Sequence, residues 1–225
     1  MNASEVLTIV QLSLRVSLVS TLLILIPGVA TGWFLARGPA RWRAPLQALV
    51  SLPMVLPPVA VGLLLLHLFA RESLLGRISE GILGNSLLLS WQGASLAAAV
   101  MSFPLLVMGA RQGFESVPLR LESVAATLGA TRLAIFRRVT LPLARRGILY
   151  GVALAFARGL GEFGATAIVA GHVPGRTETL ALGIYARIQN FEDREALFLA
   201  GCSLVLAIGM IALAEFLLRR PAGER

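Results

Sequence analysis

Arg158 and Glu162 stand four residues apart in ARGLGEFGAT, inside a run from Gly147 to Ala170 that holds no other charge. On a helix that spacing puts them on one face, close enough to pair. Inserting a single Arg at mid-span costs about 2.5–3.5 kcal/mol, so an ionisable pair at membrane depth is a functional-site candidate. Two roles are open to it: an ion pair that locks a helix bundle, or a gate that lets the helix tilt. Gly159, Gly161 and Gly164 loosen the same turn and favour movement there. A dianionic oxyanion is drawn to Arg158 and repelled by Glu162, so the pair is not simply an anion-binding site. Thr166, Ser102 and Ser51 offer hydroxyls that could touch a passing substrate or bond their own helix backbone.

Other chemistry is excluded by what the chain lacks. Its Lys-plus-Arg total of 20 is entirely Arg. Without Lys there is no phosphate-binding loop of the Walker type and no Schiff-base amine, so any ATP hydrolysis must come from another chain. The single cysteine, Cys202, lies in an apolar run and permits no intrachain disulfide. His67 and His172 have no Cys or carboxylate neighbours at ligand spacing, so no metal site is expected. We expect no catalytic residue and no cofactor.

The elements that must position Arg158 and Glu162 are membrane spans. The chain has 225 residues, of which 56% are hydrophobic and 14% charged, with a mean hydropathy of +0.79. A soluble domain carries about 25% charged residues. The net charge of +8 therefore reads as basic loops holding an orientation in lipid, not as a nucleic-acid surface. Apolar runs predict five transmembrane helices at about 12–36, 46–70, 88–110, 147–170 and 196–218, each near the ~20 residues of one crossing. The Gly28–Gly32 and Gly147–Gly151 pairs offer close-approach faces. In the second run, Pro53, Pro57 and Pro58 either break the span or mark a helix that begins at Pro57 or Pro58. Residues 71–80 read as a loop, and 171–195 as an extramembrane stretch with a short helix over 179–188. Thirteen Arg fall in 37–43, 111–146 and 219–225, against five in 71–80 and 171–195. The richer set is cytoplasmic by the positive-inside rule, giving an outer N-terminus and an inner C-terminus.

Between the third and fourth runs lies a polar, Arg-rich island, LESVAATLGATRLAIFRRVTLP over 121–142. Leu121, Val124, Ala125 and Leu128 form one apolar stripe at helical spacing. Gly129 can end that helix, Thr131 can cap a second one running to Leu141, and Pro142 suits the first turn of the next span. So structured an element between spans is expected to dock on a partner.

Glu122, Ala125, Ala126 and Gly129, followed by Leu141-Pro142, resemble the EAA signature of permease subunits in ATP-binding-cassette (ABC) importers. The resemblance implies an all-α, polytopic membrane protein with the type I ABC importer permease fold, a single transmembrane domain over 1–225, and a cytoplasmic coupling helix within 116–142. It also implies that these six residues couple the permease to a separate ATPase subunit. The apolar stripe is expected to pack on the protein's own helix ends, Glu122 and the alanines to face or support the ATPase groove, and Gly129 to make the bend. LPMVLPPVAVGLLLL over 52–66, AAAVMSFPLLV over 97–107 and ARGLGEFGAT over 157–166 resemble the molybdate permeases, with tungstate, sulfate or thiosulfate as alternative cargo. That implies a homodimer in a bacterial cytoplasmic (inner) membrane, served by an external molybdate-binding protein. Arg158, Glu162, Gly161, Gly164, Thr166, Pro57 and Pro58 are then the candidates for pathway or gate. A gradient-driven secondary oxyanion transporter is the reading from another class. The absence of an internal repeat and the presence of the coupling segment argue against it.

Overall fold

A computed structural model describes residues 2–218, and every regular element among them is helical. The elements are α1 (Ala3–Arg37), α2 (Ala40–Val55), α3 (Pro58–Leu68), α4 (Leu74–Leu83), α5 (Trp91–Glu115), α6 (Leu119–Thr127), α7 (Arg132–Ile135), α8 (Leu141–Leu160), α9 (Gly164–Val169), α10 (Leu180–Gln189) and α11 (Asp193–Leu218). A π-helical turn, Phe136–Thr140, joins α7 to α8. Arg219, Arg220 and Arg225, part of the Arg count above, lie outside the described residues.

Four helical stretches are long and apolar enough to cross a membrane, and the α2–α3 pair, bent by 106° at its break, makes a fifth if it is one span. The first begins earlier than the charge-free run suggests. With 35 residues, α1 takes in the N-terminal segment and reaches about 50 Å. Arg15 is accommodated by lying over the Trp91 ring, 3.8 Å from its centroid.

The centre of the bundle is α5, packed between α1 and α8, where small residues let backbones meet. A Cβ on Gly109 would stand 2.4 Å from the Gly151 Cα, and one on Gly147 would stand 2.4 Å from the Gly113 Cα. The Gly147–Gly151 face thus has its partner in Gly109–Gly113 of α5. Gly32 of α1 meets Ala110 of α5 in the same way, 2.7 Å from that residue's Cβ. In lipid, where apolar side chains gain little from burial, such backbone approach is what drives helices together.

The second and fourth runs are broken. Pro53 is tolerated inside α2, but Leu56 and Pro57 are extended and α3 starts afresh at Pro58. In the fourth, α8 stops at Leu160 and α9 starts at Gly164, with Gly161–Phe163 between them. Pro57-Pro58 explains the first break, since consecutive rings remove donors and clash one turn back. In the island, the helix capped by Thr131 does not stop at Leu141 but runs on through the π turn into α8. Leu141 N–H bonds the Phe136 carbonyl five residues back, a widened turn just where Pro142 brings its ring and lacks a donor. The 71–80 loop also contains more structure than expected: α4 is capped by Ser73 and ended by Gly84 at φ +71°.

Candidate coupling and gating sites

At one end of the bundle, α6 and α7 form the elbow expected of the island. Gly129 takes φ +82°, and the Ala130 N–H closes back on the Ala125 carbonyl at 3.1 Å, so the bend needs a residue free of the Cβ penalty. Thr131 caps α7 by accepting from the Ala134 N–H at 3.3 Å. Arg37, the last residue of α1, donates from Nη2 to the Val117 carbonyl at 2.8 Å and to Glu122 Oε1 at 3.1 Å. Thr140 donates its hydroxyl to the same Glu122 oxygen at 3.1 Å. Phe136 lies between Trp33, edge-on at 5.8 Å, and Phe114, stacked at 6.2 Å. Glu122 therefore points inward and ties α6 to the ends of α1 and α8.

This reverses one expectation. The apolar stripe does not pack on the protein's own helix ends: Leu121, Val124 and Leu128 are all exposed, Leu128 at 82%. Glu122 supports the segment from behind, Ala125 is half-buried, Ala126 is exposed, and the apolar face looks outward. Arg37 and Thr140 satisfy the Glu122 carboxylate on the inner side of α6, and the apolar stripe takes the other side.

Some 30 Å further along the 20 residues of α8 lies the second constellation. Arg158 Nη1 is 2.6 Å from Glu162 Oε2, and the two side chains differ sharply in exposure, 33% against 1%. Glu162 Oε1 accepts from the Ala165 N–H at 2.9 Å, so the carboxylate caps α9 while pairing with the end of α8. Arg158, in the last turn of α8, also faces the negative end of that helix. The Thr166 hydroxyl donates to the Phe163 carbonyl at 2.8 Å and so closes the interrupted turn. It is spent on backbone, as is common in apolar spans.

Of the candidate gate residues, the fold brings Pro58 and Gly164 into contact: a Cβ on Gly164 would stand 2.7 Å from the Pro58 Cβ. The two helix breaks thus face each other, with Pro57, Pro58, Gly161, Glu162, Gly164 and Thr166 around them. Below, Val61 and Leu65 of α3 pack with Ala165 and Val169 of α9 and with Ala97 and Met101 of α5. Irregular backbone at membrane depth is tolerated where protein buries it or where it lines a water-filled cavity. The coupling residues and the gate candidates are not brought together; α8 separates them.

A third cluster was invisible in the sequence. Arg187 of α10, 6% exposed, places Nη1 2.6 Å from Glu178 Oε1, Nη2 2.6 Å from Glu5 Oε1 and Nε 3.4 Å from Glu195 Oε2. His172 Nε2 lies 3.4 Å from the same Glu178 oxygen. This clasp joins the start of α1, the 171–178 segment, α10 and α11. Burial works to lower the Arg187 pKa, but the Glu178 hydrogen bond and the charges of Glu178, Glu5 and Glu195 hold it above its ordinary value. From the same helix, Tyr185 packs on Phe163 with ring centroids 4.7 Å apart and planes tilted by 47°, connecting the clasp to the break. Its members are scattered across the sequence, so no spacing signals it.

These features define a helical membrane permease with an elbow exposed at one end. The family model of the binding-protein-dependent transport system inner membrane component matches residues 28–221, and the chain belongs to that family. It is similar to the molybdenum transport system permease protein ModB of Escherichia coli strain K12, 43% identical, covering 93% of this chain and 92% of that protein. It is also similar to the putative molybdenum transport system permease protein YvgM of Bacillus subtilis strain 168, 34% identical, with 93% and 92% covered. Among solved structures, the MetNI methionine ABC transporter in inward-facing conformations aligns at a TM-score of 0.71 and 18% identity, covering 97% of this chain and 98% of that one. An amino acid ABC transporter solved with histidines aligns at 0.68 and 15%. These likenesses give the fold, that of type I ABC importer permeases. The chain is a multi-pass protein of the bacterial inner membrane.

Proposed function

We propose that the chain is the permease of an ATP-driven importer that takes molybdate across the inner membrane by alternating access. The observation that carries this reading is the outward-facing elbow of α6 and α7, anchored through Glu122 and bent at Gly129. A segment held so firmly from behind, with apolar residues left bare in front, suits the groove of a separate ATPase subunit. Glu122, Ala125, Ala126 and Gly129 build it, Leu141 and Pro142 open α8 behind it, and the unbroken path from α7 through the π turn into α8 passes its displacement to the membrane helices.

Two copies form one pathway along a two-fold axis. An external molybdate-binding protein delivers the oxyanion to the face opposite the elbow, docking on 71–92 and 171–195. The chain crosses the membrane five times, N-terminus outside and C-terminus inside, with α2–α3 and α8–α9 as interrupted spans. ATP binding closes the ATPase pair and opens the pathway outward; hydrolysis returns it inward. At the facing breaks, the Arg158–Glu162 pair holds α8 to α9 in one state and lets them part in the other. The molybdate assignment rests on the permeases this chain resembles over nearly its whole length.

Affinity purification of the chain from its own cells tests the assignment. An ATPase subunit is expected to come with it, and Leu128→Glu to release that subunit while the helical content stays intact. The binding protein that serves it should hold molybdate and ignore sulfate. A permease that purifies without any ATPase, or a binding protein selective for sulfate, contradicts the driving mechanism or the cargo respectively.

A further inference from the structure

We infer that the groove between α1, α8 and α11 is a site for an anionic phospholipid. The groove is apolar, about 320 Å³ in volume, and open at the side. Its floor is Leu149, Val152, Ala153 and Phe156, which follow one another at i, i+3, i+4 and i+7 on α8; Leu22 of α1 and Met210 of α11 close its flanks. From Leu149 to Phe156 it runs about 10 Å along the helix axis, a stretch of hydrocarbon chain. An apolar channel at this depth, unfilled by the protein's own side chains, is packed by lipid or by another helix.

What favours lipid is the end of the groove. Arg145 and Arg146 precede Leu149 by four and three residues, which places them on the same face of α8, one turn closer to the water. Both are exposed, and among the described residues neither has a carboxylate partner. Tyr150, half-exposed beside them, is the residue type that sits at headgroup level. Two free guanidinium forks above an apolar channel match a phosphodiester above an acyl chain: the planar donors grip phosphate oxygens, and the stem of the lipid follows Leu149 inward. A zwitterionic headgroup would bring a cation to the same two arginines and fit less well. A second copy of the chain would have to supply acidic side chains at that depth to fit equally well.

Native mass spectrometry on the detergent-purified permease complex, given matched phosphatidylglycerol and phosphatidylcholine in competition, decides the matter. The wild-type complex should retain phosphatidylglycerol about fivefold or more over phosphatidylcholine, and the Arg145→Gln/Arg146→Gln variant should bring that ratio to within about twofold. Ala153→Trp should lower retention of both lipids by filling the channel, whereas Arg41→Gln, on α2, should change neither. No preference in the wild type overturns the proposal without recourse to any variant. So does an unchanged preference in the double arginine variant, or an Ala153→Trp protein that loses its self-association while keeping its lipid.

Discussion

Gly164 lies against Pro58 so closely that a Cβ on the glycine would stand 2.7 Å from that of the proline. One residue opens α9 and the other opens α3, so the contact ties together the points where two helices restart after a break. Gly161, three residues earlier, has nothing within 4 Å of the position its Cβ would take. Gly164→Ala should therefore push α9 off α3 and cost about 1–3 kcal/mol by overpacking, whereas Gly161→Ala should be tolerated. A thermal melt of each purified variant beside its molybdate uptake in cells checks this. Equal behaviour of the two variants would show that the Gly164–Pro58 contact does not hold α9 against α3.

The Arg158–Glu162 pair separates structural from gating roles through a double variant. Arg158→Gln alone leaves the carboxylate of Glu162 buried without its counter-ion, costing about 3 kcal/mol, the low end for a broken buried pair because Arg158 is partly exposed. Arg158→Gln/Glu162→Gln should recover much of that stability. If the pair gates the pathway, uptake stays at least about tenfold down in the stable double variant. Glu162→Gln with full uptake and intact assembly would leave the pair a purely structural fastening.

How much of this could be read in the sequence differs from element to element. The bend at Gly129, the cap at Thr131 and the glycine faces were legible because each is local chemistry: a positive φ, a hydroxyl three residues before an N–H, small residues at helical spacing. The elbow's direction was not, because the sequence shows an apolar stripe and a glutamate without saying which is anchored. That depends on Arg37 and Thr140, 85 and 18 residues from Glu122. The facing of the two breaks and the Arg187 clasp were hidden for the same reason: they exist only once distant segments meet.

Along the α5–α8 crossing, Gly109→Ala would set a Cβ 2.4 Å from the Gly151 Cα. The obstacle is backbone, with no flexible side chain to yield, so the helices must separate. We expect a loss of at least about 3 kcal/mol, seen as a lowered melting transition and poor yield, while Gly81→Ala on the exposed face of α4, with open space around it, changes little.

Arg187→Gln removes the common partner of Glu178 and Glu5 and should destabilise the end of the bundle away from the elbow by about 3 kcal/mol. The sign of its pH dependence follows from the raised pKa. The guanidinium's contribution is complete below its unfolded pKa and is lost only as pH rises through the higher folded one. Arg187 thus keeps its charge through the neutral range, and hydrogen exchange at the start of α1 and in α10 should rise in the variant and not on mild alkalinisation of the wild type.

In the proposed mechanism, ATP hydrolysed by another subunit drives transport through the elbow of α6 and α7. Proteoliposomes holding the permease, its ATPase and its binding protein, loaded with ATP or left without it, measure this most directly through uptake of radiolabelled molybdate. Uptake is expected only with ATP, abolished by Leu128→Glu and unaffected by collapsing the proton gradient. Uptake by the permease alone that follows the proton gradient and survives Leu128→Glu would contradict it.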